Sequence, residues 1–224
     1  MSSATIASLR ASLTAVADPA LAPGMAAYMK DQFPFLGVKS GPRKQAQRSL
    51  IAAAKTVGEA DLLALAAELF DEPEREFAYV ACDVLRRWAG RLGPDSIGPL
   101  RELIQTKSWW DTVDVLAVHV VGAVVRANRD LVWVMDGWIE DPDIWVARTA
   151  ILHQLMWKAD TDADRLFAYC DLRGGDKEFF IRKALGWALR QYARTDAEAV
   201  ALYVAENAER LSGLTKREAL KHIG

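Results

Sequence analysis

Apolar residues recur at helical spacing along almost the whole chain, as in Leu62, Leu63, Leu65, Ala66 and Leu69, or Val80, Val84, Leu85 and Trp88, and sustained two-residue alternation is missing. A helix brings residues three and four apart onto one face, whereas a strand alternates at every second residue, so the chain reads as all-α. Breaks fall at Pro19 to Pro23, Gly37 to Pro42, Glu72-Pro73, Gly93-Pro94, Asn128 to Asp130, Asp141-Pro142 and Gly174-Gly175. They cut the chain into helices of ordinary length, and short loops between many helices imply antiparallel neighbours.

A repeat emerges when the helices that follow acidic or glycine breaks are aligned on their first aromatic residues. Arg75-Glu76-Phe77, Ser108-Trp109-Trp110, Asp143-Ile144-Trp145 and Glu178-Phe179-Phe180 then correspond, and Phe77, Trp110, Trp145 and Phe180 are separated by 33, 35 and 35 residues. That period suits stacked helical pairs, each burying its apolar face against the next. It is shorter than a standard HEAT repeat, so the expected architecture is a HEAT-like helical-repeat solenoid (an α-α superhelix), formed by a single domain over 1–224. Solenoids usually bind on the concave side lined by one helix of each pair, which directs attention to polar and aromatic residues early in the aligned helices.

With 224 residues, 51 % of them apolar, the chain can bury a sizeable core without a covalent staple. Its two cysteines, Cys82 and Cys170, lie far apart in apolar helical patterns and suggest neither a disulfide framework nor a zinc site. A reducing, cytoplasmic setting fits. Early in the chain only Arg10 is basic, and no uninterrupted apolar run approaches about 18 residues, so neither secretion nor membrane spanning is expected. A net charge of −2 argues against coating nucleic acid through bulk charge. DNA binding would need local clustering, and two stretches offer it: Arg182, Lys183, Arg190 and Arg194, and then Lys216, Arg217 and Lys221, although solvated helix faces would look the same.

Several residues exceed what a helical core requires. Ser108 stands three before Asp111, a variant capping box that accounts for Asp111. It leaves Asp114 unexplained, one turn deeper beside the apolar run Val115 to Val118, where an unpaired buried carboxylate would be costly. Trp110 and Asp114 are four apart and share a helical face. In the next aligned helix Arg148 is the equivalent basic intrusion into the apolar stretch Ile144 to Leu152. Trp187 follows Lys183 by four residues on one face of the helix after that. A structural ion pair between Asp114 and Arg148, with core tryptophans, accounts for the same pattern. His119, His153 and His222 are isolated and lack metal-ligand spacing, and no phosphate-cradling glycine loop or nucleophile elbow is present.

Five stretches together carry a resemblance: Met29-Lys30 to Phe35-Leu36-Gly37; Pro73-Glu74-Arg75-Glu76-Phe77; Thr106-Lys107-Ser108-Trp109-Trp110-Asp111-Thr112-Val113-Asp114; Ile144-Trp145-Val146-Ala147-Arg148; and Lys177-Glu178-Phe179-Phe180-Ile181-Arg182-Lys183-Ala184-Leu185-Gly186-Trp187. From about residue 20 to the C-terminus the chain resembles the AlkD family of alkylpurine DNA glycosylases. The resemblance implies a HEAT-like solenoid gripping duplex DNA, with Asp114 catalytic and Trp110 and Trp187 as its groove tryptophans. It places Arg148 on a phosphate, Tyr28 at a tyrosine position of the N-terminal region, and Arg190, with Lys183 beside it, among the DNA contacts. A monomer acting on DNA that contains alkylated purines, with no metal or organic cofactor and no membrane, is what it implies further. Met156 stands where the family often has a basic residue, and the proline of Gly41-Pro42-Arg43-Lys44 is displaced from the family pattern; neither touches Asp114 or the tryptophans. The alternative left open by the residues is a noncatalytic HEAT-like scaffold that binds DNA or protein.

Overall fold

The computed structural model describes residues 3–223, and among them every regular element is a helix. Met1, Ser2 and Gly224 of the expected domain 1–224 lie outside the described residues. The order is α1 (Ser3–Thr14), α2 (Ala22–Tyr28), α3 (Ser40–Ala46), α4 (Arg48–Ala53), α5 (Glu59–Asp71), α6 (Arg75–Trp88), α7 (Ile97–Gln105), α8 (Trp110–Val115), α9 (Gly122–Ala127), α10 (Val132–Trp138), α11 (Ile144–Leu152), α12 (Ala163–Arg173), α13 (Phe179–Tyr192), α14 (Ala197–Glu206) and α15 (Gly213–Ala219). The all-α helical-repeat class expected from the sequence is the one the chain adopts. It divides into two compact units, Met1–Lys107 and Ser108–Gly224.

In the first unit α5 and α6 pack on each other, α5 also meets α7, and α6 meets α4. Leu62, Leu65, Leu69 and Phe70 of α5 and Phe77, Val80, Val84 and Leu85 of α6 form the core between them. The Pro73 to Phe77 motif has a structural use. Glu76, fully buried, accepts hydrogen bonds from the backbone N–H groups of Leu36 (3.0 Å), Gly37 (2.9 Å) and Val38 (3.0 Å). Donors in a loop that would otherwise lose water without compensation are satisfied in this way. Gly37 has φ +91°, and a Cβ there would lie 2.0 Å from the Asp18 carbonyl oxygen, so the turn requires glycine. Arg75 is buried, lies over the Phe33 ring at 3.8 Å and donates to the Lys107 carbonyl at 2.7 Å.

In the second unit α8 runs through one π-helical stretch, Leu116–Val121, into α9. Valine-rich sequence is a poor helix former, and π turns are tolerated where packing outweighs the regular hydrogen-bond ladder. Close packing is visible at Gly122: a Cβ there would lie 2.2 Å from the His153 carbonyl oxygen, and the Gly122 carbonyl accepts Trp157 Nε1 at 3.0 Å. Beyond it α10 packs on α11, α12 on α13 and α14 on α15, while α11 and α13 are themselves neighbours, as are α13 and α15. Tyr169 Oη donates to Asp136 at 2.7 Å and Tyr203 Oη to Asp171 at 2.8 Å, so the same bond joins α10 to α12 and α12 to α14.

Helix starts follow ordinary capping chemistry at α11, α12, α14 and α15, where Asp143, Asp162, Asp196 and Ser212 accept from backbone N–H groups in the first turn. Two expectations need correction. The residue at the capping position of α8 is Trp109 and not Ser108; its backbone is extended (φ −159°, ψ 158°) and its own side chain makes no capping bond. Its indole enters an aromatic cluster described below, and the helix starts one residue later than the capping box implied. The break from Gly37 to Pro42 is also shorter than expected. Gly41 and Pro42 belong to the first turn of α3, where a proline loses no helical hydrogen bond.

Candidate active site

At the N-terminal ends of α8, α11 and α13 the rings of Trp109, Trp145 and Phe180 meet, with centroids 5.7 Å apart for Trp109 and Trp145, 5.2 Å for Trp109 and Phe180, and 4.8 Å for Trp145 and Phe180. Each such pair contributes about 0.5–1.5 kcal/mol beyond its buried area. The repeat alignment matched Trp110 with Trp145 and Phe180, but it is Trp109 that joins them. Trp109 Nε1 is buried and makes no hydrogen bond among the described residues.

One turn further along lies the carboxylate singled out from the sequence. Arg148 Nε donates to Asp114 Oδ1 at 2.7 Å and its Nη2 to Oδ2 at 2.9 Å, a bidentate pair joining α8 to α11. The third edge of the guanidinium is spent on the backbone, because Nη1 donates to the Phe180 carbonyl of α13. The Arg148 side chain is 4 % exposed and that of Asp114 16 %, so the acid keeps an open edge and the base almost none. Burial pushes the Asp114 pKa up, the hydrogen bonds and charge of Arg148 pull against it, and the nearby Asp111 charge adds to the rise. The outcome is a carboxylate held in a fixed orientation, poorly hydrated, and easier to protonate than an ordinary aspartate.

Trp110 and Trp187 are both partly exposed, as side chains facing a binding surface would be. On α13 the residues Phe180, Lys183, Trp187 and Arg190 recur at spacings of three and four and share one face. Lys183 Nζ donates to Glu218 Oε1 at 2.6 Å and Arg190 Nη1 to Glu218 Oε2 at 2.5 Å. Both cations flanking Trp187 are thus held by one acid of α15. Gly186 allows this approach: a Cβ there would lie 2.6 Å from Glu218 Cβ and 2.9 Å from the Thr215 carbonyl oxygen. The two cations hold the Glu218 pKa down, Lys183 foremost. Tyr28 ends α2 in the first unit, 69 % exposed, beside a cavity of about 460 Å³ that Met29, Phe35 and Tyr79 help to line.

The sequence singled out Asp114, Arg148, Trp110, Trp187, Lys183, Arg190 and Tyr28, and the structure brings Asp114 to Arg148, and Lys183 and Arg190 to a common acid. Sequence reasoning missed Trp109 and Glu218. A second aromatic next to Trp110 was visible in the sequence, but Glu218, 28 residues from Arg190, left no local signal. Among the described residues no group of three or more histidine, cysteine or acidic side chains is arranged to hold a metal ion, Cys82 and Cys170 are buried and unbridged, and no helix is long and apolar enough to cross a membrane.

The sequence model of the DNA alkylation repair enzymes matches residues 9–223. The chain belongs to that family. The resemblance read from the tryptophan and phenylalanine motifs therefore holds at the level of the family, and DNA alkylation repair is the role that this membership supports. Among solved structures, one described as a predicted DNA alkylation repair enzyme from Enterococcus faecalis is 30 % identical to the chain, with a TM-score of 0.87. The match covers 93 % of this chain and 97 % of that one. No curated protein matches.

Proposed function

We propose that this family member hydrolyses the N-glycosidic bond of N3- and N7-alkylated purines, such as 3-methyladenine and 7-methylguanine, in duplex DNA. The observation that carries the reading is the partly open Asp114 carboxylate, fixed through both oxygens by a buried arginine at a helical face it shares with Trp110. An alkylated purine is already cationic and leaves readily, so the enzyme has mainly to stabilise the positive charge that develops on the deoxyribose. A preorganised carboxylate of low hydration does this without reorganising, and it can orient the attacking water. Indole faces at Trp110 and Trp187 would offer their negative quadrupoles to the polarised sugar.

Arg148 orients Asp114 in this scheme, and a backbone phosphate would reach it by competing with the Asp114 oxygens and the Phe180 carbonyl that take its donors. Lys183, Arg190 and Tyr28 would add contacts that position the duplex without reading its sequence. A base need not be enclosed in a pocket for such chemistry, since the charge to be stabilised lies on the sugar. A second reading has its own support. Bidentate pairing of Asp114 with Arg148 is also what a purely structural ion pair would look like, and a noncatalytic DNA- or protein-binding scaffold would need nothing more.

Release of 7-methylguanine from methylated duplex DNA, measured for the wild-type chain and for Asp114→Asn, separates the two. Release that vanishes in the variant while DNA affinity holds supports the glycosylase. No release by wild-type protein that still binds DNA supports the scaffold.

A further inference from the structure

The cations expected to hold DNA near the candidate active site are largely occupied. Arg148 is bound by Asp114, and Lys183 and Arg190 by Glu218. A phosphate approaching them competes with an internal carboxylate, so with a net charge of −2 the chain needs a grip elsewhere.

In the first unit Lys44 of α3 and Arg86 and Arg87 of α6 surround a surface cavity of about 490 Å³, completed by Gln47, Ile51 and Asp83. All three cations are exposed, and Arg48 is exposed nearby on α4. None of the three pairs with an acid among the described residues; Arg87 lies over its neighbour Trp88 at 4.5 Å. The one acid of the cavity lining is already engaged from beneath: Gln47 Nε2 donates to Asp83 Oδ2 at 2.8 Å, and the buried Arg43 places Nη2 at 3.3 Å from the same oxygen. Asp83 is thereby offset and does not answer the rim charges. Arg91, only a few residues on, shows the contrast, since its guanidinium is consumed by the carbonyls of Ala54, Lys55 and Val57.

Cations in the last turn of a helix favour its dipole, which accounts for Arg86 and Arg87 in part. It does not account for Lys44, which reaches the same cavity from another helix. The repeat supplies a further correspondence. In the alignment of Phe77 with Phe180, Arg87 follows the first by ten residues as Arg190 follows the second, so two aligned helices carry an arginine at the same repeat position.

We propose that Lys44, Arg86 and Arg87 form a phosphate-binding surface for the backbone of duplex DNA, one that supplies affinity independent of the lesion. The inference rests on reading the chain as acting on duplex DNA and not on the identity of the excised base. Each phosphate neutralised releases condensed counterions, so the surface contributes to the salt dependence of binding and not to the chemical step.

The test is fluorescence anisotropy of an undamaged labelled duplex with the full chain, wild type and Lys44→Gln/Arg86→Gln/Arg87→Gln, between 50 and 200 mM KCl. The slope of log K against log salt should become shallower by about 0.9 for each cation that engages a phosphate, hence by about 2–3 in the triple variant. Arg86→Lys/Arg87→Lys, which preserves charge, should keep the wild-type slope, and thermal melts verify that each variant is folded. Single-turnover excision at saturating protein should be unchanged in the triple variant. An unaltered slope in the folded triple variant overturns the proposal. Wild-type protein that excises nothing, yet loses slope in the triple variant, would remove the glycosylase reading and leave this surface standing. Excision with no change of slope would do the reverse.

Discussion

Arg148 binds both oxygens of Asp114 across the gap between α8 and α11, at 2.7 and 2.9 Å, while its remaining terminal nitrogen holds the Phe180 carbonyl. One side chain thus ties together α8, α11 and α13, the three helices that carry the candidate site, and the orientation of the acid depends on it.

Asp114→Asn keeps the shape and removes the charge. Excision should fall at least about 10²-fold, the usual scale for losing one preorganised electrostatic group. DNA affinity should stay within about twofold of wild type. Because the buried Arg148 loses its counter-charge, the melting temperature should drop as well, so the assay is run well below the variant's Tm. Wild-type excision rates in the folded variant would remove Asp114 from the mechanism.

Arg148→Ala removes the partner instead. Leaving a half-buried carboxylate alone costs about 3–5 kcal/mol, read as a lower urea midpoint. The pH profile is more informative. Asp114 has a raised pKa, and Arg148 is the group opposing the rise, so the variant's acid limb should move to higher pH. Activity requires the ionised form and therefore fades as pH falls through a higher value than in the wild type. Should Arg148 also meet a phosphate, the salt slope of DNA binding becomes shallower in the same variant. An acid limb that stays in place would mean that the pair does not govern the titration.

His153 sets a pH dependence of stability separate from catalysis. It is fully buried, its Nδ1 lies 2.6 Å from the Ala150 carbonyl, and burial pushes its pKa down from 6.5 to about 4. Between those values the unfolded chain binds a proton that the folded chain refuses. The folded state's advantage is therefore complete above the unfolded value and is lost as pH falls toward 4, by about 3 kcal/mol over the window. Thermal melts at pH 7 and pH 4.5 should show a larger loss of Tm for the wild type than for His153→Gln. Equal losses in both proteins would assign the acid sensitivity to other groups.

Two glycines in helices should answer oppositely to alanine. At Gly122 the new Cβ meets the His153 backbone oxygen at 2.2 Å, so Gly122→Ala should cost about 1–3 kcal/mol or more by forcing α9 and the end of α11 apart. At Gly137, inside α10, a Cβ meets nothing within 4 Å. Gly137→Ala should gain about 0.4–1 kcal/mol by restricting the unfolded chain. Urea titrations of both variants decide the comparison, and similar midpoints would show that the close approach at Gly122 relaxes without cost.

The helices themselves were legible because helix formation is local: a period of three to four apolar residues and the glycine and proline breaks fix where α5, α6, α11 and α13 run. The motifs around Trp110, Asp114, Arg148 and Trp187 carried the family for a similar reason, since each lies within a single helix. Positions defined between helices were less secure. Taking Trp109 in place of Trp110 would change the repeat separations only to 32 and 36, so the spacing does not choose between them, and the packing of Trp145 and Phe180 decided which one enters the aromatic cluster.

The sequence by itself determined an all-α chain of repeated helical pairs and the side chains in it that a helical core does not need. The tertiary structure alone decided their partners: that Asp114 is held by Arg148, that Lys183 and Arg190 spend their charge on Glu218, and that Lys44, Arg86 and Arg87 keep theirs. The physical reason is distance along the chain. Hydrogen bonds within a helix link residues four apart, whereas these ion pairs link residues 28 to 35 apart and depend on how one repeat settles against the next.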